Sequence, residues 1–196
     1  MPWYKKKYHQ LSDEQLVYML TKGNERAFDE LYDRYAPRMM RFFYRMLYQD
    51  EAVAADFCQT LFLRVFEKKD SFKPEYKFST WIHTLAANLC KNEYRRQGRQ
   101  PTTINIQQAH DLMVTQEESR VDKSIFQSAL QRAINRLDDK HRICIVLRYQ
   151  QDKRIAEIAD IVNCPPGTVK SRIHTAMKQM RSDLHGHNLN FKEALR

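Results

Sequence analysis

Apolar side chains recur along most of this chain at intervals of three and four residues, the spacing of one face of an α-helix. Ser12 with Gln15 has the spacing of a capping box and predicts a helix through about Leu20, with Leu16, Met19 and Leu20 as its stripe. Asn24 is placed to cap a second helix carrying Phe28, Leu31, Tyr32 and Tyr35. Pro37 either kinks that helix or starts a successor, which continues through Met40, Phe43, Tyr44 and Leu47. Asp50 caps the next, to about Lys68, with Val53, Ala54, Phe57, Leu61 and Val65 inward and Phe62 and Phe66 beside them. A short loop then leads into a helix from Phe78 that begins aromatic and ends basic at Arg95 and Arg96. Ile82, Leu85, Ala86, Leu89 and Cys90 can face its core, whereas Trp81, His83, Lys91, Tyr94, Arg95 and Arg96 cannot all be buried.

Periodicity lapses after Gln97. Gly98, Pro101, Thr102, Thr103 and several Gln residues read as a polar linker. Helical spacing resumes near Asp122, with Ile125, Phe126, Ala129, Ile134 and Leu137, and Asp138 or Asp139 caps a further helix through Tyr149. Ile155, Ile158, Ala159 and Val162 then share one face of a short helix, and Asn163 to Gly167 break it. Pro166 suits the first turn of a longer helix bearing Val169, Ile173, Ala176, Met177, Met180 and Leu184. Its other face carries Lys170, Ser171, Arg172, His174, Lys178 and Arg181. Short helix, tight turn and basic amphipathic helix describe a helix-turn-helix; a pair of surface helices with a solvated basic face would share the pattern. The expected fold is all-α. It comprises a first domain at 10–97, a linker at 98–121, a second domain at 122–184 and a tail at 185–196.

Charge adds a partner. Lys and Arg number 33 against 24 Asp and Glu, a net +9, which is the footprint of a nucleic-acid binder. No apolar run reaches the roughly 20 residues of a membrane span, and no apolar stretch follows the charges at the start, so neither membrane insertion nor a signal peptide is expected. Cys58, Cys90, Cys144 and Cys164 lie far apart on or beside apolar faces and read as buried, reduced thiols of a cytoplasmic protein.

Catalysis finds no constellation. Asp13, Glu14, Asp50, Glu51, Asp138 and Asp139 sit at helix starts, where acids serve as caps and dipole partners. His83, His141, His174, His185 and His187 lack an evident acid or thiol partner, and there is no phosphate loop or nucleophile elbow. No cofactor or metal is expected. By contrast, Phe72, Tyr76, Phe78 and Trp81 precede Lys91, Tyr94, Arg95, Arg96 and Arg99, an arrangement that could stack unpaired bases and follow their phosphates. A buried aromatic core next to a solvated helix end would look the same.

These residues bear a family resemblance. Asp56-Phe-Cys-Gln-Thr-Leu-Phe, Phe78-Ser-Thr-Trp-Ile with Ala86 and Asn88, Glu157-Ile-Ala and Gly167-Thr-Val-Lys-Ser-Arg-Ile resemble, in order, motifs of bacterial RNA polymerase sigma factors of the extracytoplasmic-function (ECF) group. The first domain would be region 2 and the second region 4. The resemblance implies a non-enzymatic subunit that binds core RNA polymerase through its β′ clamp and β, and directs initiation at promoter DNA. It also implies an anti-sigma factor, which in this family can be membrane-bound. Asp56, Gln59 and Phe62 would dock on the clamp. Phe72, Trp81, Asn88, Arg95 and Arg96 would read and melt the −10 element. Lys170, Ser171 and His174 would meet the −35 element, with Arg148 and Arg172 on phosphates. Thr60, His174–Thr175 and Leu137-Asp-Asp depart from the family pattern. The competing readings are a stand-alone helix-turn-helix regulator and a nucleic-acid-processing enzyme with such a domain.

Overall fold

A computed structural model describes residues 8–47, 50–98 and 129–184. The expected linker (apart from Gly98), the start of the second domain, the 185–196 tail with His185 and His187, and the chain start therefore lie outside the described residues. Within them the secondary structure is helical throughout.

The first half holds four helices: α1 (Asp13–Thr21), α2 (Glu25–Met46), α3 (Glu51–Lys68) and α4 (Phe78–Gln97). The capping signals work as their chemistry predicts. Ser12 Oγ accepts from Gln15 N while Gln15 Oε1 accepts from Ser12 N, and the side chains of Asn24 and Asp50 cap α2 and α3. Pro37 neither ends α2 nor starts a new helix; α2 runs through it to Met46. Burial of Leu31, Tyr35, Met39, Phe42, Phe43 and Met46 along one stripe of α2 outweighs the lost hydrogen bond.

Segment 8–12 and α1 are tied down by Arg34. Its guanidinium reaches Glu30 and Asp13, each at 2.8 Å, and donates to the carbonyls of Tyr8, His9 and Leu11. Tyr35 donates to the same Asp13, and this acceptor together with burial drives its phenol far above the ordinary range.

The second half contains a helical segment at 129–135, α5 (Asp139–Ile145), a widened π-type turn (Val146–Gln150), α6 (Ile155–Val162) and α7 (Pro166–Asp183). Asp138 stands at the cap position of α5 without a side-chain bond to it. Asn163 closes α6 with a φ of 50°, a left-handed conformation that Asn tolerates better than most residues, and Pro166 opens α7. Leu130, Ala133, Ile134, Leu137, Ile145, Ala176, Met177, Met180 and Leu184 form one core of this half. Cys144, Val146, Leu147, Ile158, Ala159, Ile161 and Val169 instead join the core of the first half. The halves meet where α4 packs on α6 and α2 packs on α5 and the π-type turn.

Candidate nucleic-acid interface

The helix that should hold separated strands, α4, owes its start to another helix. Lys77 at its cap position offers no side-chain acceptor. Glu14 of α1 supplies one, its Oε1 accepting from Phe78 N at 3.0 Å. A carboxylate at a helix N-terminus satisfies an orphan donor and opposes the helix dipole. Glu14→Ala is expected to lower stability by about 1 kcal/mol, as loss of a local cap does. Glu14→Gln should lose less, because the acceptor remains. Thermal unfolding of the three proteins checks the order.

Four rings surround this start. Phe78 is fully buried, with Tyr35 at 5.1 Å edge-on, Trp81 at 5.7 Å and Phe72 at 6.0 Å, and Phe72 lies 5.4 Å from Trp81. Phe72 is itself only 8% exposed, so its ring is a wall of this core and not an open stacking face. Trp81 keeps one side towards solvent, and Tyr76 in the preceding loop is 63% exposed. Asn88, Lys91, Arg95 and Arg96 are all exposed on α4. Arg96 forms a bidentate pair with Glu93 at 2.8 and 2.7 Å, which raises the guanidinium and holds Glu93 below the usual carboxylate range. Arg95 donates to Asn92. A phosphate would have to draw Arg96 from Glu93, whereas Lys91 is simply presented.

On α7, Lys170, Ser171 and His174 are exposed within one turn, as a surface entering a groove requires. Arg172 turns inward, half-buried, where it lowers the Cys144 thiol; burial prevails and pushes that thiol up to about 11. Arg148 is exposed and donates to Lys153 O at 3.1 Å.

On α3, Asp56 and Gln59 are exposed three residues apart. Phe62 is 3% exposed, packed 4.6 Å from the Tyr32 ring and 6.1 Å from that of Phe28. The exposed apolar surface beside it belongs to Leu63, Phe66 and Tyr32. Thr60 donates its hydroxyl to Asp56 O, so it is committed to its own helix.

His83 is the residue that sequence reasoning placed least well. It is fully buried, where α4 meets the second half. Its Nδ1 donates to Ser79 O at 2.6 Å, and its Nε2 lies 3.3 Å from Gln151 Oε1. Burial is the largest influence on the ring, and with Lys153 and Arg38 nearby it lowers the imidazole to about 4. Lys153 is only 5% exposed and donates to Ser79 O at 3.3 Å; Lys77 and Glu157 pair at 3.5 Å at the edge of the same contact. Arg142, also buried, donates to Met46 O across the two halves at 3.3 Å. No helix among the described residues is long and apolar enough to cross a membrane.

Comparison with known proteins agrees with this geometry. The family model for Sigma-70 region 2 matches residues 31–100, and that for Sigma-70, region 4 matches 127–180. The ECF RNA polymerase sigma factor SigW of Bacillus subtilis is 32% identical over 179 residues, covering 86% of this chain and 94% of that protein. The ECF RNA polymerase sigma-E factor of Escherichia coli K12 is 30% identical over 176 residues, covering 85% and 91%. The structure of CnrH in complex with the cytosolic domain of CnrY matches with a TM-score of 0.64 at 22% identity, covering 88% of this chain and 96% of that one. The sigma factor RpoE, in complex with the anti-sigma factor NepR from Bartonella quintana, gives 0.66 at 20% identity, covering 82% and 98%. At those identities the likeness is one of fold. Two region matches in order, and relatives covered almost end to end, place the chain in one family: it belongs to the sigma-70 RNA polymerase sigma factors, within the extracytoplasmic-function group.

Proposed function

We propose that this protein joins core RNA polymerase and directs it to promoters, acting as a cytoplasmic specificity subunit and not as an enzyme. The observation that carries the proposal is the pairing of both sigma regions in one chain, with exposed basic residues on α4 and on α7. A stand-alone helix-turn-helix regulator would need only the second. The fold shared with sigma factors solved beside anti-sigma partners supports an anti-sigma factor as the restraining partner.

Individual roles follow from exposure. Asp56 and Gln59 meet the polymerase clamp, and Phe62 holds Leu63 and Phe66 towards it from below. Asn88, Arg95 and Arg96, with the open side of Trp81, face the melted −10 strand, while Phe72 shapes that surface from within. Lys170, Ser171 and His174 face the −35 duplex, and Arg148 and Arg172 flank it near the phosphates. A lysine ammonium can donate to O6 and N7 of guanine, so Lys170 is the base reader and its neighbours set position.

The test is reconstitution. The protein is mixed with core polymerase and a promoter-library DNA, and initiated transcripts are sequenced. Specific start sites are expected; absence of transcripts together with absence of core binding on gel filtration would refute the proposal. Lys170→Ala is expected to relax base preference in the −35 element at a cost of about 1–3 kcal/mol. Uniformly weaker binding with preference unchanged would assign Lys170 to the phosphates instead.

A further inference from the structure

We propose that Glu93 is a positioning residue that withholds Arg96 from DNA, so that the basic end of α4 grips phosphates with less than its full charge. The inference rests on the promoter reading above and concerns the strand that α4 faces there. Its first support is where the side chains stand on the helix. At about 100° per residue, Arg95 lies about 20° from Asn88, and Lys91 about 60° away on the same side. These three form one stripe, and all are exposed. Arg96 lies about 80° from Asn88 on the other side and Glu93 about 140°, beside the buried Ala86 and Cys90. Their ion pair therefore draws the guanidinium of Arg96 off the stripe and towards the rim of the core.

The second support is how the pair is held. Arg96 gives Nε and Nη2 to the two oxygens of Glu93, at 2.8 and 2.7 Å, and Gln97 Nε2 gives Glu93 Oε1 a further bond at 3.0 Å. The Glu93 side chain is 11% exposed and that of Arg96 69%. The carboxylate is thus fixed while its cation stays within reach of solvent. When Arg96 leaves, Gln97 still holds Glu93 where the guanidinium left it. Arg95 has no such competitor, because Asn92 is a neutral amide that offsets no charge. An exposed ion pair contributes little to stability, so a phosphate, which a guanidinium also takes through two donors, displaces Glu93 at small cost. The exchange frees a carboxylate as it neutralises a phosphate, and that carboxylate draws back a cation. Little net release of counterions is then left to drive the contact. With a net charge of +9 the chain attracts any nucleic acid. Glu93 trims that attraction at a surface where phosphate contacts carry no sequence information.

The test is a double-mutant cycle between Glu93→Gln and Arg96→Ala, read in the full chain bound to core polymerase. The probe is a fluorescent fork-junction DNA, duplex upstream and single-stranded through the −10 element, built from a start site recovered in the reconstitution. A second fork carries scrambled −10 bases. Binding is followed by anisotropy over a range of salt concentrations. Glu93→Gln should tighten binding to both forks by about fivefold at about 0.1 M salt. It should also steepen the log–log salt slope by about 0.7, the increment of one more phosphate on a single strand. Glutamine keeps its hydrogen bonds to Arg96 and Gln97, so helical circular dichroism and core binding should not change. Arg96→Ala should cost about threefold more affinity in the Glu93→Gln background than in the unaltered protein. Weaker binding by Glu93→Gln would overturn the proposal, because Glu93 would then aim Arg96 at the strand. Equal costs of Arg96→Ala in the two backgrounds would overturn it too, since loss of a nearby negative charge would explain the gain alone. Failure of the unaltered holoenzyme to bind either fork would remove the promoter reading itself, and the role of Glu93 with it.

Discussion

Phe78→Ala is expected to lower the free energy of unfolding by about 3–5 kcal/mol, the range for truncating a fully buried aromatic ring. Phe78 is the hub of the ring cluster at the start of α4 and touches Tyr35, Phe72 and Trp81. Its removal leaves a void under Trp81 and beside the Glu14 cap, so the surface proposed to face the −10 strand should lose its shape with the core beneath it. Trp81→Ala should behave differently. Part of its ring faces solvent, so stability should fall less while promoter melting falls more. Urea unfolding and permanganate reactivity of the opened promoter measure the two losses. A larger loss of stability in Trp81→Ala than in Phe78→Ala would reverse the assignment of which ring supports and which one works.

Acidification from pH 7 to pH 5 is expected to remove about 2 kcal/mol of the stability held at His83, and the full fall to pH 4 and below on the order of 3 kcal/mol, at about 1.4 kcal/mol per pH unit. The folded ring titrates near 4 and the free ring near 6.5. Above pH 6.5 both forms are neutral and nothing is lost. As pH falls below that, the unfolded chain takes up a proton that the buried ring refuses, so stability drops until the folded ring titrates as well. The groups that resist the charge are Lys153 from the second half and Arg38 of α2, after burial itself. Lys153 is also depressed, to about 8, and stays protonated throughout this window. His83→Asn can keep the bond to Ser79 O without a titrating ring, so its stability between pH 7 and pH 5 should be flatter than that of the unaltered protein. Parallel pH profiles would remove His83 from the account.

Much of this architecture is legible in the sequence because it is local. Ser12 with Gln15, Asn24 and Asp50 mark helix starts through bonds spanning three residues. The break from Asn163 to Pro166 needs only the conformational habits of Asn and Pro. What escapes is decided at a distance. Glu14 caps α4 from 64 residues away, and His83 finds Gln151 from 68. In the run Leu61-Phe62-Leu63, periodicity leaves open which apolar residue turns outward. Packing of Phe62 against Tyr32 and Phe28 decides it, and Leu63 takes the surface. That α2 continues through Pro37 is settled by a related cause: Pro37 stands exposed, and the stripe on the other face is buried before and after it.

The widened turn at Val146–Gln150 carries a consequence for how this chain can vary. It fits one residue more into its turn than an α-helix would, with Gln151 N bonded to Val146 O and Lys153 N to Leu147 O. Each residue of an α-helix advances the chain by about 100°. Removing a single residue from this turn would swing Gln151 and Lys153 away from His83 and Ser79. The turn thus sets the phase of the Gln151–Lys153 segment against α4. A one-residue deletion there should weaken the contact between the two halves while the amino-acid sequence of α7 is unchanged.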